Sequence, residues 1–447
     1  MSPSPNPASK HAVLLIGSGG REHAMGWKLA LSPRCARLCV APGNDGMPAG
    51  WERWGADLGK GRAEFERLAA RAREEGITLC VVGPDNPLAD GIVDVFEARG
   101  IACFGPRAGA ARIEASKAFA KEIMMAAGVP TARSHTARSR AEARKFLQES
   151  VADPLWSAGY VVKFDGLAFG KGVQVCPSGG QGHPAALKQA LDAVSSLPEG
   201  AFVIEELLTG SEISWMAFCD GERAALLEPA RDHKRLGDGD QGPNTGGMGA
   251  FSPVPGVPAA WAERMQREVF APVLAEMKTR GVPFRGLLYA GLMADFARDR
   301  FWILEFNARF GDPETQVLLP RMKDDFLDWC EAVAAGDISR LPGRVGYHPE
   351  AAVCVVAAAK GYPDSPEKGA PLELSLPAAQ ERGSVPPVFF AGVKRGPAGG
   401  LEVSGGRVLV TVGMAPDLAR ARDEAYHRLE GVRFAGMQAR RDIGGRL

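Results

Sequence analysis

"LLYAGLMADFARDRFWILEFNARFGDPETQ", Leu287 to Gln316, reads as two apolar strands around the turn-like "ARDR". Alternate residues of a strand project from one face, so the second strand presents Glu305 and Asn307 together, with Arg309 next in the series. A carboxylate, an amide oxygen and a guanidinium on one face of an apolar strand are costly without partners. Oxygen donors of this kind suit Mg²⁺, which commonly takes one or two protein carboxylates plus nucleotide phosphates. Arg309 is then placed to hold a transferring phosphoryl group. The competing reading is a structural ion pair between Glu305 and Arg309.

Working backward, "YVVKFDGLAFGKGVQV" (Tyr160 to Val175) reads as strand, glycine-rich loop, strand. Gly166, Gly170 and Gly172 stand there with Lys163 and Lys171. A hairpin with a flexible cationic tip can fold over polyphosphate, its amides and ammonium groups meeting the anions. The bland alternative is an exposed hairpin with surface lysines. Lys163 argues against it, because it ends an apolar strand and so needs an anion. "AFVIEELLTGSEIS" (Ala201 to Ser214) puts Glu205 and Glu206 at the end of a buried strand, either as structural ion-pair partners or facing a ligand. "DGDQGPNTGGMGAFSP" (Asp238 to Pro253) carries five glycines and no hydrophobic period. The expectation is a loop whose bare amides approach a small ligand.

The N-terminal region alternates strands ("HAVLLIG", "RLCVA", "ITLCVVG", "IACFG") with helical stretches, the pattern of a parallel α/β sheet covered on both faces. Its loop "GSGGREH" (Gly17 to His23) fails as a dinucleotide fingerprint. Glu22 falls where the third glycine belongs, at the helix start that should receive a pyrophosphate, and "CVAPGN" lacks the ribose-binding acid. A loop meeting another phosphorylated ligand through Arg21 and a ligand-free tight turn both remain open. "SKAFAKEIMMAAGVP" opens a helix with Ser116 as N-cap. From about residue 341 a small α/β region follows, expected to close one side of a cleft or simply to pack.

The chain has 447 residues, 45% hydrophobic and 24% charged, with 53 basic and 53 acidic side chains. That length predicts about three domains. The charge balance removes the simplest support for nucleic-acid or membrane-surface binding. The eight cysteines form no CxxC pair, and Cys35 and Cys39 are too isolated for a zinc site; free thiols in a reducing compartment are expected. The polar start "MSPSPNPASK" and the lack of a long apolar run predict a cytosolic protein.

Together, "GSGGREHA", "SKAFAK", "DGLAFGKGV", "DHKRLGDGDQGPNTGGMGAFSP", "EFNARFGDPETQ" and "GGRVL" resemble the ATP-grasp superfamily. Within it they resemble the phosphoribosylamine–glycine ligases (glycinamide ribonucleotide synthetases) of purine biosynthesis, over nearly the whole chain. The resemblance implies a multidomain fold of α/β and α+β class, with a polar tail (1–10) and a Rossmann-like N-terminal domain (11–112). An ATP-grasp core (113–340) follows, with a mobile lid at about 131–207, and a small C-terminal α/β domain (341–447) ends it. It implies ATP as co-substrate, with Lys117 and Lys163 on its phosphates and the Gly166, Gly170, Gly172 loop closing over them with Lys171. Glu205, Glu206 and Leu207 face the adenine and Glu212 the ribose; Glu305 and Asn307 take Mg²⁺ or Mn²⁺; Arg309 and Lys171 act in catalysis. Asp232, Lys234 and the loop Gly246, Gly247, Met248, Gly249 meet glycine. Gly17, Gly19, Gly20, Arg21 and Glu22 serve the phosphoribosyl group. The expected partners are small molecules, and the chain is expected to be a monomer.

The sequence departs from that pattern at Asp85 for a glutamate, Ala115 for a glycine, Phe164 and Phe169 for alanines, Arg231 in the approach to Asp232, and Phe390 and Val393 for a histidine and a threonine. Several of these are expected to fall beside the amine substrate, so a related ligase with another acid or amine is the alternative. A biotin-dependent carboxylase is disfavoured by Met293, where those enzymes carry a second metal-binding glutamate. A non-catalytic nucleotide-binding protein is disfavoured by the presence of Lys117, Lys163, Glu305, Asn307 and Arg309.

Overall fold

The computed structural model describes residues 10–166, 172–376, 385–386 and 388–445. β1 (His11–Gly17) is almost wholly buried, as a continuous apolar run between two helical layers must be. Helix α1 (Gly20–Leu31) follows directly. With β2 (Cys35–Pro42), β3 (Glu52–Arg53), β4 (Leu79–Val82) and β5 (Ala102–Phe104), β1 forms a parallel sheet in the order β3-β2-β1-β4-β5. The eight cysteines are free and all but Cys35 are buried. Among the described residues, no helix is long and apolar enough to cross a membrane.

The helix Lys117–Ala126 begins at Ser116, whose hydroxyl accepts the Phe119 amide at 3.1 Å. Beyond it, β6 (Ser134–Ala137), β7 (Gly159–Phe164), β8 (Val173–Pro177) and β9 (Phe202–Glu206) make an antiparallel sheet in the order β6-β9-β7-β8. With the helices Arg140–Glu149 and His183–Ser196 it encloses its own core around Leu147, Trp156, Tyr160 and Ile204. A separate core is what lets such a unit move as a body on the rest.

The chain continues through β10 (Ser211–Asp220), β11 (Ala224–Leu226), β12 (Arg231–Asp232), β13 (Arg235–Gly237), β14 (Gln241–Asn244), β15 (Gly249–Ser252), β16 (Arg285–Asp295), β17 (Arg300–Asn307) and β18 (Ala351–Ala358). A four-stranded sheet runs β11-β10-β16-β17. In it β17 pairs with β16 through a bulge: Gly291 faces Glu305 while Leu292 faces Ile303, so Leu304 has no opposite residue. A further sheet runs β12-β15-β18, then the strands Arg407–Ala415 and Val388–Phe390. Strands flanking the glycine-rich loop therefore belong to the same sheet as the C-terminal strands, across the boundary expected near residue 340.

Candidate active site

A cleft of about 940 Å³ opens between the lid sheet, β17 and the glycine-rich loop. Its first wall is made by strands. Lys163 ends β7 and is 6% exposed, as its apolar flank demands, and its anion is Glu205, at 2.8 Å. It also donates to the Leu304 carbonyl at 2.9 Å, the group that the bulge frees from the ladder. Lys117 donates to the Gly166 carbonyl at 2.8 Å. Gly172, Glu206, Leu207 and Glu212 line the same wall. Glu205 also lines the cleft, but its carboxylate, expected to face an adenine, is held between Lys163 and Lys121, the latter at 3.0 Å. Gly170 and Lys171 lie outside the described residues.

Glu305 and Asn307 both line the cleft from β17, and Arg309 follows just past the strand's end. Glu305 and Arg309 are not partnered. Arg309 bonds Glu114 at 2.8 Å and Asn307 Oδ1 at 3.3 Å, and its buried Nε has no acceptor. Burial works against ionisation of Glu305, yet Lys234, Lys163, Lys117 and Arg309 hold its carboxyl below the ordinary range. An ionised carboxylate beside an amide oxygen fits a hard divalent cation. Among the described residues, no three His, Cys, Asp or Glu side chains stand close enough to enclose a metal. Glu305 and Asn307 therefore suit a cation that takes its other ligands from substrate phosphates and water.

The second wall is assembled from distant segments. Lys234 bonds Glu212 at 2.8 Å and stands 4.0 Å from Glu305. Burial pushes the Asp232 carboxyl up to about 7, Lys234 pulling it down while Glu314, Glu212 and Glu305 push it further up. Glu314 accepts the Ser214 hydroxyl at 2.9 Å, and Ser214 meets the Tyr289 hydroxyl at 2.9 Å. Arg407, from the C-terminal region, donates to the carbonyls of Gly246 and Asp312, both at 2.6 Å, and pairs with the Asp312 carboxylate at 2.8 Å. Glu314, Asp312, Tyr362 and Arg407 were not singled out as site residues from sequence. The "GDPETQ" and "GGRVL" stretches contain three of them, but nothing local says that they meet.

The glycine-rich loop corrects a second expectation. Its amides are already engaged: Thr245 to the Lys234 carbonyl, Gly246 to the Tyr362 hydroxyl, Gly247 to the Thr245 hydroxyl and Met248 to the His233 carbonyl. Gly246 lines the cleft; Gly247, Met248 and Gly249 do not figure among its lining residues. Gly247 has φ +106°, and a Cβ there would sit 2.5 Å from Pro313 Cδ. What approaches this backbone is the protein itself. Met248 is fully buried.

In the N-terminal loop, Glu22 is 2% exposed and its carboxylate accepts the Gly19 amide at 2.7 Å and Arg21 Nε at 2.6 Å. It occupies the helix start that a pyrophosphate would need, as its position in the sequence suggested. Arg21 reaches the cleft, donating to the Phe310 carbonyl at 3.1 Å, whereas Gly17, Gly19, Gly20 and Glu22 stand behind it.

Comparison with known proteins matches the three parts of one enzyme. Residues 11–114 match the phosphoribosylglycinamide synthetase N domain, 115–315 its ATP-grasp (A) domain and 352–446 its C domain. The phosphoribosylamine–glycine ligase of Phenylobacterium zucineum is 42% identical over 97% of this chain and 99% of its own length. The chain belongs to the phosphoribosylglycinamide synthetase family. The Neisseria meningitidis serogroup B ligase is likewise 42% identical, over 96% and 98%. The Thermotoga maritima phosphoribosylamine–glycine ligase structure superposes with a TM-score of 0.79 at 33% identity, covering 96% of this chain and 99% of that one. The biotin carboxylase domain of Hydrogenobacter thermophilus 2-oxoglutarate carboxylase, with a TM-score of 0.69 at 18% identity over 96% and 92%, shares the fold.

Against the phosphoribosylglycinamide synthetase pattern, the departures fall in two places. Asp85 and Arg231 line the cleft. Phe390 does not: its ring stacks on His23 with centroids 5.9 Å apart, and its amide donates to His23 Nδ1 at 2.9 Å. Val393 is 3% exposed and part of the core. Phe164 packs edge-on against Phe202 within the lid. Phe169 lies outside the described residues. The expectation that Phe390 and Val393 alter the amine's surroundings is therefore replaced by one of packing between α1 and the C-terminal strands.

Proposed function

We propose that the protein ligates glycine to 5-phosphoribosylamine at the expense of ATP, giving glycinamide ribonucleotide, ADP and phosphate in purine biosynthesis. One observation carries the reading. A single cleft joins the wall of Lys117, Lys163, Glu305 and Asn307 to the Asp232–Gly246 wall, in a chain similar to such ligases along its whole length.

In this reading ATP lies between the lid and β17. Lys117 and Lys163 meet its phosphates, Glu206 and Leu207 border the adenine, and Glu212 the ribose; Gly166, Gly170 and Gly172 with Lys171 fold over the phosphates. Glu305 and Asn307 hold Mg²⁺ or Mn²⁺, which supplies charge neutralisation to the phosphoryl groups. Arg309, with its unspent Nε, neutralises the transferring group. Asp232 and Lys234 hold the ammonium and carboxylate ends of glycine, with Gly246 as part of the wall. A glycine carboxylate oxygen attacks the γ-phosphorus and the bond to ADP breaks, leaving glycyl phosphate. The nitrogen of phosphoribosylamine then attacks the acyl carbon, the bond to phosphate breaks, and the amine gives up a proton. Arg21 marks the phosphoribosyl end. Bringing two anions together and keeping water from an acyl phosphate are the physical demands, met by Lys117, Lys163 and Arg309 and by the lid. The chain works as a cytosolic monomer.

The test is ADP release by the purified protein with ATP, glycine and Mg²⁺ or Mn²⁺, with and without freshly generated 5-phosphoribosylamine. ADP matching glycinamide ribonucleotide, and dependent on both co-substrates, is expected. ATP binding without product from these two substrates rejects this acid and amine pair.

A further inference from the structure

Lys121 is a buried cation that the proposed chemistry leaves without a task. It is 3% exposed, on the inner face of the helix Lys117–Ala126. Its ammonium stands 3.0 Å from Glu205, 2.5 Å from the Thr131 hydroxyl and 3.2 Å from the Ala132 carbonyl. The Thr131 hydroxyl in turn donates to the Ile303 carbonyl of β17 at 2.6 Å, and the Ile303 amide to the Pro130 carbonyl at 2.7 Å. Thr131 and Ala132 are the residues by which the chain enters β6; Glu205 lies at the end of β9, by which it leaves the lid sheet. One ammonium therefore touches both crossings between lid and core.

The charge arrangement gives that contact a second meaning. Glu205, 2% exposed, is shared by Lys121 at 3.0 Å and Lys163 at 2.8 Å. A buried carboxylate stripped of its sole cation is strongly disfavoured. With one lysine, Glu205 would compete with any phosphate for Lys163. With two, the three side chains together keep a positive charge, and Lys163 can face a phosphate while Glu205 stays paired. Burial and the nearby Lys163 both disfavour the charged form of Lys121, and Glu205 opposes them.

We propose that Lys121 is a positioning residue for nucleotide binding: it neutralises Glu205 from behind, leaving Lys163 free for the ATP phosphates, and ties that pair to both ends of the lid. The inference rests on the reading of the cleft as an ATP site but not on the identity of acid or amine.

The experiment measures ATP affinity directly, by calorimetry with Mg²⁺-ATP and no co-substrate, and then KM for each substrate, in the full chain. Lys121→Met is expected to weaken ATP binding and raise its KM about tenfold or more, with the KM for glycine and for the amine changed less than about twofold. Lys121→Arg, which keeps the charge, is expected to recover most of the loss. Glu205→Gln added to Lys121→Met removes the competing anion, so the double variant should bind ATP more tightly than Lys121→Met alone. Unchanged ATP binding in Lys121→Met, an equal loss for all three substrates, or a double variant no better than the single one would each overturn the proposal. Should Lys121→Met not fold, the double variant and Lys121→Arg are compared with the parent: both should bind ATP within about threefold of it, and a loss of about tenfold in either overturns the proposal. A parent protein that binds no ATP sinks this inference and the ATP reading together. One that binds ATP but makes no glycinamide ribonucleotide sinks the substrate assignment and leaves the Lys121 comparison standing.

Discussion

Lys163, Glu205 and Glu305 reach the cleft from β7, β9 and β17, close to one another in two sheets and cross-linked by the Leu304 bulge. Lys234, Gly246, Tyr362 and Arg407 reach the opposite wall from segments up to 173 residues apart, held by hydrogen bonds between loops and a C-terminal strand. The first wall is a property of strands, the second of tertiary assembly. A wall made of strands resists the loss of one contact, because the ladder still places its neighbours. A wall stitched from distant pieces loses position when one stitch is cut.

The variants that bear on this contrast separate by size. Arg309→Met removes the guanidinium proposed to neutralise the transferring group, and kcat is expected to fall about 10²–10³-fold with ATP affinity nearly kept, measured by steady-state kinetics and calorimetry. Equal loss of both would mean that Arg309 serves the strand wall as a whole. Arg407→Met cuts three bonds to the glycine-rich loop and Asp312. It should raise KM for glycine or the amine about ten- to a hundredfold and leave ATP affinity alone. A matching loss for ATP would erase the distinction between the walls. Gly247→Ala places a methyl against Pro313 in a left-handed conformation, and should cost about 2–3 kcal/mol in urea unfolding.

Acid should act where α1 packs against the C-terminal strands. Burial lowers the His23 pKa to about 3. Between that value and the ordinary 6.5 the unfolded chain binds a proton that the folded one refuses. Stability therefore falls as pH drops below 6.5. The loss should reach about 2 kcal/mol at pH 5 relative to pH 7. His23→Gln should lack that component in urea unfolding at the two pH values, and an identical pH slope in parent and variant would remove His23 from the account.

Where function hangs on local pattern, the sequence was readable. Lys163 at the end of an apolar run had to have an anion, Glu305 and Asn307 had to share a face of β17, and Glu22 had to deny the N-terminal loop a pyrophosphate. The parallel sheet, the lysine hairpin and the Ser116 cap followed from the same short-range rules. Periodicity could not say which anion Lys163 meets, because Glu205 lies on a neighbouring strand and β-register is a tertiary fact. It could not show that glycines at 247 and 249 make room for protein rather than ligand. Nor could it show that Arg407 bonds Gly246, since a contact across 161 residues leaves no trace in local composition.

The sheet shared by β12, β15, β18 and the C-terminal strands sets where this molecule can be cut. β15 hydrogen-bonds to β18 through four residue pairs, Gly249↔Val355 to Ser252↔Ala352. Severing the chain near residue 340 would leave β15 as a raw edge, its unpaired amides and carbonyls open to any passing strand. A fragment ending there would lose Arg407 and Tyr362 and would carry a template for self-association. The C-terminal region is thus not an appendage to be trimmed for convenience: in building terms, it is a supporting course of the cleft's second wall.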